Sequence, residues 1–476
     1  MHDNLRRRAL ESGKTVSNKA KSKPTSRASS RPNSQPASRI NSRLQSRDAS
    51  DDEDVGGNLS DDTNASIASI DEVLETDEYS DLPTDATKQE LQKAIENLLE
   101  RKGSSVSGRE DTLTSFDRCL TAHYLPDSLA GRTSEIVAAL IKILKPGASE
   151  KEATLAVRGI ALIAITVQND DFYEHVSPLL RRLISDSEYP LVKASALNAL
   201  AICMTFGGAG EEEIEEMLTY LLEVVSSDGD FIDADGNTDI VAAALTSYGF
   251  LATFVDDLEQ DSEDAIDAFL DQLDADDVRV QIAAGENIAL LYEKSYRPRA
   301  YGDDSSEDDD EEQSSDEEVT KNQVSLVKRY DAFHNKTKVV DKVTALASLS
   351  TKQISRKERR HLHQAFATIS ASVESPKLGL RGIGASKMSV RIHKEGQMKV
   401  DKWWKLMRLN GMRRVLAGGF VNHYLEGNAQ VLDMAPMIMT DANSGVASPN
   451  KNAKAGKGRF RAERRFVSVG AEDDGL

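Results

Sequence analysis

Residues 276–293 read DDVRVQIAAGENIALLYE, and on a helix at 100° per residue they sort into two apolar stripes. Val278, Ile282, Gly285, Ala289 and Tyr292 make one; Val280, Ala284, Ile288 and Leu291 make the other. Arg279, Glu286 and Glu293 form the polar line, with Leu290 beside it as the exception. A surface helix needs one apolar stripe, so two stripes imply a helix sandwiched between neighbours. Gly285 and the alanines let those neighbours come close.

Upstream, helix pairs repeat, and their second members are expected to begin near Ser149, Tyr189, Asn237 and Asp276. That spacing fits the roughly 40–47-residue period of HEAT and armadillo units, whose inner helices the D-x-V-R-x-x-x-A run at 276–283 also resembles. Local signals agree. Pro146 stops one helix, Ser149-x-x-Glu152 reads as a capping box, Pro190 suits a first turn, and Gly207-Gly208 ends the helix carrying Leu197–Phe206. Earlier helices are expected over Thr87–Lys102, with Leu91, Ile95 and Leu98 aligned, and over Asp111–Tyr124, with Leu113, Phe116 and Leu120 aligned. The predicted fold class is mainly α: an armadillo/HEAT-like α-solenoid over residues 87–302.

The flanks read differently. Residues 1–86 are a Ser/Arg-rich and then acidic tail with too little apolar surface to offset chain entropy. Residues 303–318 are an acidic insertion, with 11 acids in 16 positions. Ser305, Ser306, Ser314 and Ser315 sit there in the setting acidophilic kinases prefer. Residues 319–440 continue as helices and a small basic α+β module: a helix-like Val319–Leu349, a helix over Ser355–Ser370, a hairpin over Ser389–Val400, a helix over Asp401–Leu416, and one or two short helices over Phe420–Met434. Residues 441–476 form a linker and a basic-aromatic tail.

The net charge of −20 hides a split. Residues 1–47 hold 12 Lys/Arg against 2 Asp/Glu, residues 48–320 hold 18 against 64, and residues 321–465 hold 29 against 10. Two basic ends flank an acidic middle, so the low overall pI leaves nucleic acid open as a partner. No apolar run approaches the roughly 18 residues of a membrane span, and the first residues lack a secretory apolar core. The two cysteines, Cys119 and Cys203, lie in helical surroundings, which suits a reducing compartment.

Catalytic and metal chemistry finds little support. Asp233, Asp235 and Asp239 imitate the start of a calcium loop, but Thr238 stands where glycine makes the turn and Ala244 where a glutamate closes the site. An inter-helix turn with Asn237 or Asp239 as cap is the better reading. His361 and His363 lie about 200° apart on a helix and have no cysteine nearby. No nucleophile elbow, P-loop or dinucleotide fingerprint occurs. No cofactor and no small-molecule substrate are expected. The positive signal is cations interleaved with aromatics: Lys399, Lys402, Trp403, Lys405, Arg408, Arg413 and Arg414 in one block, with Trp404 beside them. Lys451, Lys454, Lys457, Arg459, Phe460, Arg461, Arg464 and Arg465 make the second, in the tail. Such sets give salt-dependent phosphate contacts and stack on unpaired bases, so both are candidate RNA-binding sets. For the tryptophans the alternative is structural, one in the core and the other over the hairpin.

The helical block ending VRVQIAAGENIALLYE, the SRKERR segment from 355, the VDKWWKLMRLNGMRRVLAGGFVNHYLEGN block and the basic terminal segment together resemble the interferon-related developmental regulator family, in a consistent order over roughly residues 85–465. The resemblance implies a non-enzymatic protein with an armadillo-like domain. It implies either a ribosome-associated factor, occupying tRNA sites and blocking the mRNA path of idle ribosomes, or a transcriptional co-regulator recruiting deacetylase complexes. The expected function is the first, with rRNA and ribosomal proteins as partners and a cytoplasmic location. Its alternative is a nuclear scaffold whose solenoid groove holds chromatin co-repressor proteins.

Overall fold

A computed structural model of the chain describes residues 85–100, 105–145, 147–299, 326–349, 354–382, 389–393, 396–434 and 438–439. Residues 1–84 of the expected N-terminal tail, the acidic insertion with its four serines and the basic C-terminal segment lie outside those residues, while 85–86 belong to the first helix.

The described chain opens with α1 (Asp85–Glu100) and α2 (Val106–Ala122), then the single turn α3 (Pro126–Leu129). Helix pairs follow: α4 (Thr133–Ile143) with α5 (Glu150–Thr166), α6 (Phe172–Asp186) with α7 (Pro190–Phe206), α8 (Glu211–Ser226) with α9 (Thr238–Ala252), and α10 (Glu259–Gln272) with α11 (Val278–Lys294). A further pair, α12 (Lys336–Ala347) and α13 (Arg356–Glu374), extends the array past the insertion. The second members form an inner row in which α2, α5, α7, α9, α11 and α13 each pack on the next. This is the stacking that lets one repeat supply its neighbour's missing face.

Local chemistry sets the inner-helix starts close to their expected places. Asn237 accepts from the N–H groups of Asp239 and Ile240, and Asp277 from that of Arg279. Pro190 opens α7, where a missing N–H costs nothing. Ser149 caps α5 by accepting from Glu152 N. The rest of the expected box is absent, because the fully buried Glu152 carboxylate pairs with Arg109 at 2.7 Å instead of reaching back. A complete box does form at α13, between Ser355 and Glu358.

One expectation needs correction. The helix expected over Val319–Leu349 is confined to α12, because β2 (Leu326–Lys328) pairs antiparallel with β1 (Tyr296–Pro298). Arg329 N then donates to Ser295 O at 2.8 Å, so the segments 295–298 and 326–329 are clamped together before α12 begins.

Both apolar stripes of α11 are covered, one by α9 and α10 and the other by α13. Gly285 sits where α13 comes nearest: a Cβ there would lie 2.9 Å from Ile369 Cδ1 and from Phe366 Cε1. The remaining chain forms β3 (Ser389–His393), β4 (Gly396–Lys399), α14 (Trp403–Leu416), a 3-10 turn at 417–419, α15 (Phe420–Leu425), α16 (Ala429–Met434) and β5 (Ile438–Met439). The three strands make an antiparallel sheet in the order β3-β4-β5. Helix α14 packs on α9 and α11 and reaches α5 and α2 as well.

Replacing Gly285 by Leu should overpack the α11–α13 contact and cost about 1–3 kcal/mol of stability in a denaturant titration. An unchanged midpoint and slope would mean the two helices do not meet there.

Candidate nucleic-acid interface

The basic tryptophan block is positioned by a carboxylate on the array. Lys402 occupies the N-cap of α14 without a side-chain cap, leaving the helix's first N–H groups without partners of their own. Glu293, from the polar line of α11, supplies them: its Oε2 accepts from Trp403 N at 3.0 Å and its Oε1 from Trp404 N at 3.3 Å. Burial raises the Glu293 carboxyl above its ordinary range, and Lys402 and the two N–H groups pull it only partly back. The helix N-terminus adds its own partial positive charge to that anion.

From that anchor Arg408 turns inward, while Arg414 reaches back to the array with its side chain still exposed. Arg408 donates from Nε to Thr253 Oγ1 at 3.0 Å and from Nη2 to Thr253 O at 2.9 Å. Its guanidinium lies 4.2 Å from the Phe254 ring centre and 5.0 Å from that of Trp404, and burial lowers its pKa. Arg414 donates to Asn198 Oδ1 at 3.2 Å and Thr246 O at 3.4 Å, beside the Glu286 carboxyl. Lys405 pairs with Asp401 at 2.6 Å, and Arg413 is half-buried. Trp403 is 2% exposed, with its indole N–H enclosed and unpartnered, whereas Trp404 is half-buried. Lys399 ends β4. The structure therefore sets Trp403, Arg408 and Arg414 at the seam between module and array, with Lys405 held by Asp401 of the module itself. In this arrangement the ring of Trp403 offers no face to a base.

Sequence reasoning missed the polar residues that finish the seam. Asn422 donates to Ala122 O at 2.9 Å, and a ring nitrogen of His423 lies 2.9 Å from Leu120 O. Asn428 donates to Ile165 O at 3.1 Å. Those carbonyls belong to the last turns of α2 and α5, which have no acceptor-satisfying partner within their own helices. Glu426 adds a contact with His123 Nδ1 at 2.8 Å. Burial pushes His423 down to about 4, so its neutral ring serves as donor and acceptor. The only signal in sequence is three polar side chains, Asn422, His423 and Asn428, set into short apolar helices.

Elsewhere the described cations are partly paired. Lys338 and Lys342 of α12 reach Asp267 of α10 at 3.1 Å and Asp274, in the turn after α10, at 2.8 Å. Arg356, Lys357 and Arg360 stand exposed in the first turns of α13. Among the described residues no group of three or more His, Cys, Asp or Glu could hold a metal. His363 is 2.7 Å from Leu349 O, and the buried Cys119 thiol is pushed up to about 11. No helix of the described chain is long and apolar enough to cross a membrane.

A family model described as interferon-related developmental regulator matches residues 56–374, more than half of the chain. The chain is 28% identical over 343 residues to an uncharacterised protein of Schizosaccharomyces pombe, covering 71% of this chain and 72% of that one. It is 20% identical over 377 residues to interferon-related developmental regulator 1 of Homo sapiens, covering 76% and 75% of the two chains. It is 23% identical over 390 residues to interferon-related developmental regulator 2 of Mus musculus, covering 76% and 78%.

Two outcomes test the seam. Glu293→Ala strands two buried N–H groups and should cost about 1–3 kcal/mol in urea unfolding, with Glu293→Gln costing less. Burial pushes Glu286 up to about 7, so the native state retains that proton where the unfolded chain has lost it, and wild-type stability falls as pH climbs from about 4.5 to 7. The stability of Glu286→Gln relative to wild type should therefore rise through that window. Because the side chain keeps some solvent, the gain is on the order of 1–2 kcal/mol.

Proposed function

Because the chain belongs to the interferon-related developmental regulator family, we propose that it is a non-enzymatic, ribosome-associated factor that binds rRNA through its basic C-terminal tail and holds idle ribosomes inactive. The array is the scaffold and the module is its brace. The segment Lys451–Arg465 supplies the phosphate contacts, occupying the tRNA and mRNA paths of the ribosome in the cytoplasm.

One observation carries this reading: Lys405, Arg408 and Arg414 of α14 already have partners within the protein, Arg414 while staying exposed. Arg408, Arg414 and Lys405 already serve Thr253, Asn198, Thr246 and Asp401. Phosphate binding then falls to cations outside the seam. Lys451, Lys454, Lys457, Arg459, Arg461, Arg464 and Arg465 crowd into fifteen positions of the tail, and Arg356 and Lys357 on α13 are exposed as an auxiliary contact. The outer helices α8 and α10 carry exposed Glu211, Glu212, Glu215, Glu216, Asp264 and Asp271, which repel the same phosphates. The co-regulator alternative uses the solenoid groove to hold protein partners. Helix α14 packs on α9 and α11, so any partner held on those helices has to share them with the module.

Converting Arg459, Arg461, Arg464 and Arg465 together to Ala should weaken binding to single-stranded RNA and to ribosomes at unchanged melting temperature. The slope of log K against log salt should become shallower by about 0.7 for each phosphate that no longer meets an arginine. Replacing Lys142, Lys145 and Lys151 by Ala is the control and should leave ribosome co-sedimentation intact. A tail variant that still pellets with ribosomes, in an RNase-sensitive manner, would move the interface to the folded body.

A further inference from the structure

Tyr189, Leu191 and Phe231 are large apolar side chains left 42%, 50% and 51% exposed. They belong to one edge of the array. Tyr189 caps α7 and Leu191 is in its first turn, and Lys193, one turn on, donates both to Ser185 O at 2.8 Å and to Ile232 O. That lysine ties the start of α7 to the loop carrying Phe231. Phe231 in turn packs edge-on against Tyr220, with ring centres 5.4 Å apart.

The loop is held rigidly in this pose. Asp228 and Asp233 adopt left-handed backbone at φ 51° and 53°. Gln272 donates to Asp228 Oδ1 at 2.7 Å and to Val225 O at 3.0 Å, and Gly236 N closes on Asp228 O at 2.9 Å. Aspartate visits that region as a single residue at little cost, and the result is a turn that leaves the Phe231 ring 51% exposed. Exposed Asp186, Glu188, Asp230, Asp233 and Asp235 rim the edge, with Arg182 reaching Asp186 at 4.0 Å.

We propose that this acid-rimmed aromatic edge is the docking site of the chain's own residues 458–469, GRFRAERRFVSV, which hold the tail on the array until RNA displaces it. The proposal rests on the tail being the RNA-binding segment. The match is chemical. Phe460 and Phe466 supply apolar anchors, and four arginines supply planar cations that pair with carboxylates and stack on tyrosine or phenylalanine. The tether is long: residues 440–458, between Met439 of β5 and Arg459, span up to roughly 60 Å when extended. Tethering at that length gives an effective concentration on the order of millimolar, so a weak site is filled within the molecule.

The test uses full-length protein and hydrogen exchange at residues 226–237 and 458–469. Phe231→Ser should speed exchange in 458–469 severalfold, and the Arg459, Arg461, Arg464 and Arg465 to Ala variant should do the same for 226–237. The combined variant should match either alone. Added oligo(U) RNA should release 226–237 in the wild type, and Phe231→Ser should bind that RNA severalfold tighter. Unchanged exchange at 226–237 in the tail variant overturns the docking. Protection that grows with protein concentration assigns the tail to a second copy and overturns the intramolecular form. If the wild type fails to bind oligo(U) while the two segments still protect each other, the RNA reading fails and the docking stands.

Discussion

A single buried carboxylate closes this fold. Glu293 lies on the one line of α11 that no repeat neighbour covers, and it receives the bare N-terminus of α14. Desolvation there outweighs the compensating charges, since the carboxyl is raised rather than lowered. Such a group is tolerable only while its partners stay in place, because an unpaired buried charge costs several kcal/mol. Docking of α14 is therefore close to all-or-none.

The consequence reaches the far end of the array. A solenoid is ordinarily a chain of nearest-neighbour contacts, and its stability is nearly a sum over repeats. Here α14 crosses that order. It starts on α11, presses Gly411 against Phe250 of α9, and receives Arg158 of α5 at Val415 O, 3.0 Å away. Asn422, His423 and Asn428 then complete the last turns of α2 and α5. Contacts separated by some 300 positions in sequence, such as that of His423 with Leu120, couple the first repeats to the last helices. The expected outcome is one cooperative unit in place of independently fraying ends.

Charge is partitioned by the same closure. The basic module meets an acidic array, and the seam spends cations on hydroxyls, amides and carbonyls as much as on carboxylates. Arg408 on Thr253 and Phe254 shows why: a guanidinium offers five donors and a flat face, so it can leave water without a full counter-charge. Long-range attraction between the two halves is screened by salt, but these short bonds are not.

The repeat architecture was legible because helical periodicity and capping are local. Two stripes on 276–293, Pro190 at a first turn and Asn237 as a cap each depend on residues a few positions apart, and each names its own place in the fold. The family resemblance was legible too, through motifs kept in order. The destination of the tryptophan block was not. Trp403, Arg408 and Arg414 look the same in sequence whether they face RNA or a neighbouring helix, since side-chain type sets what a group can bind and not what is nearby. Glu293 and Asn422 gave no sign of capping helices that lie more than a hundred positions away. Only the tertiary structure decided that, because the partner of a polar group in a long-range contact is chosen by chain packing and not by its neighbours along the chain.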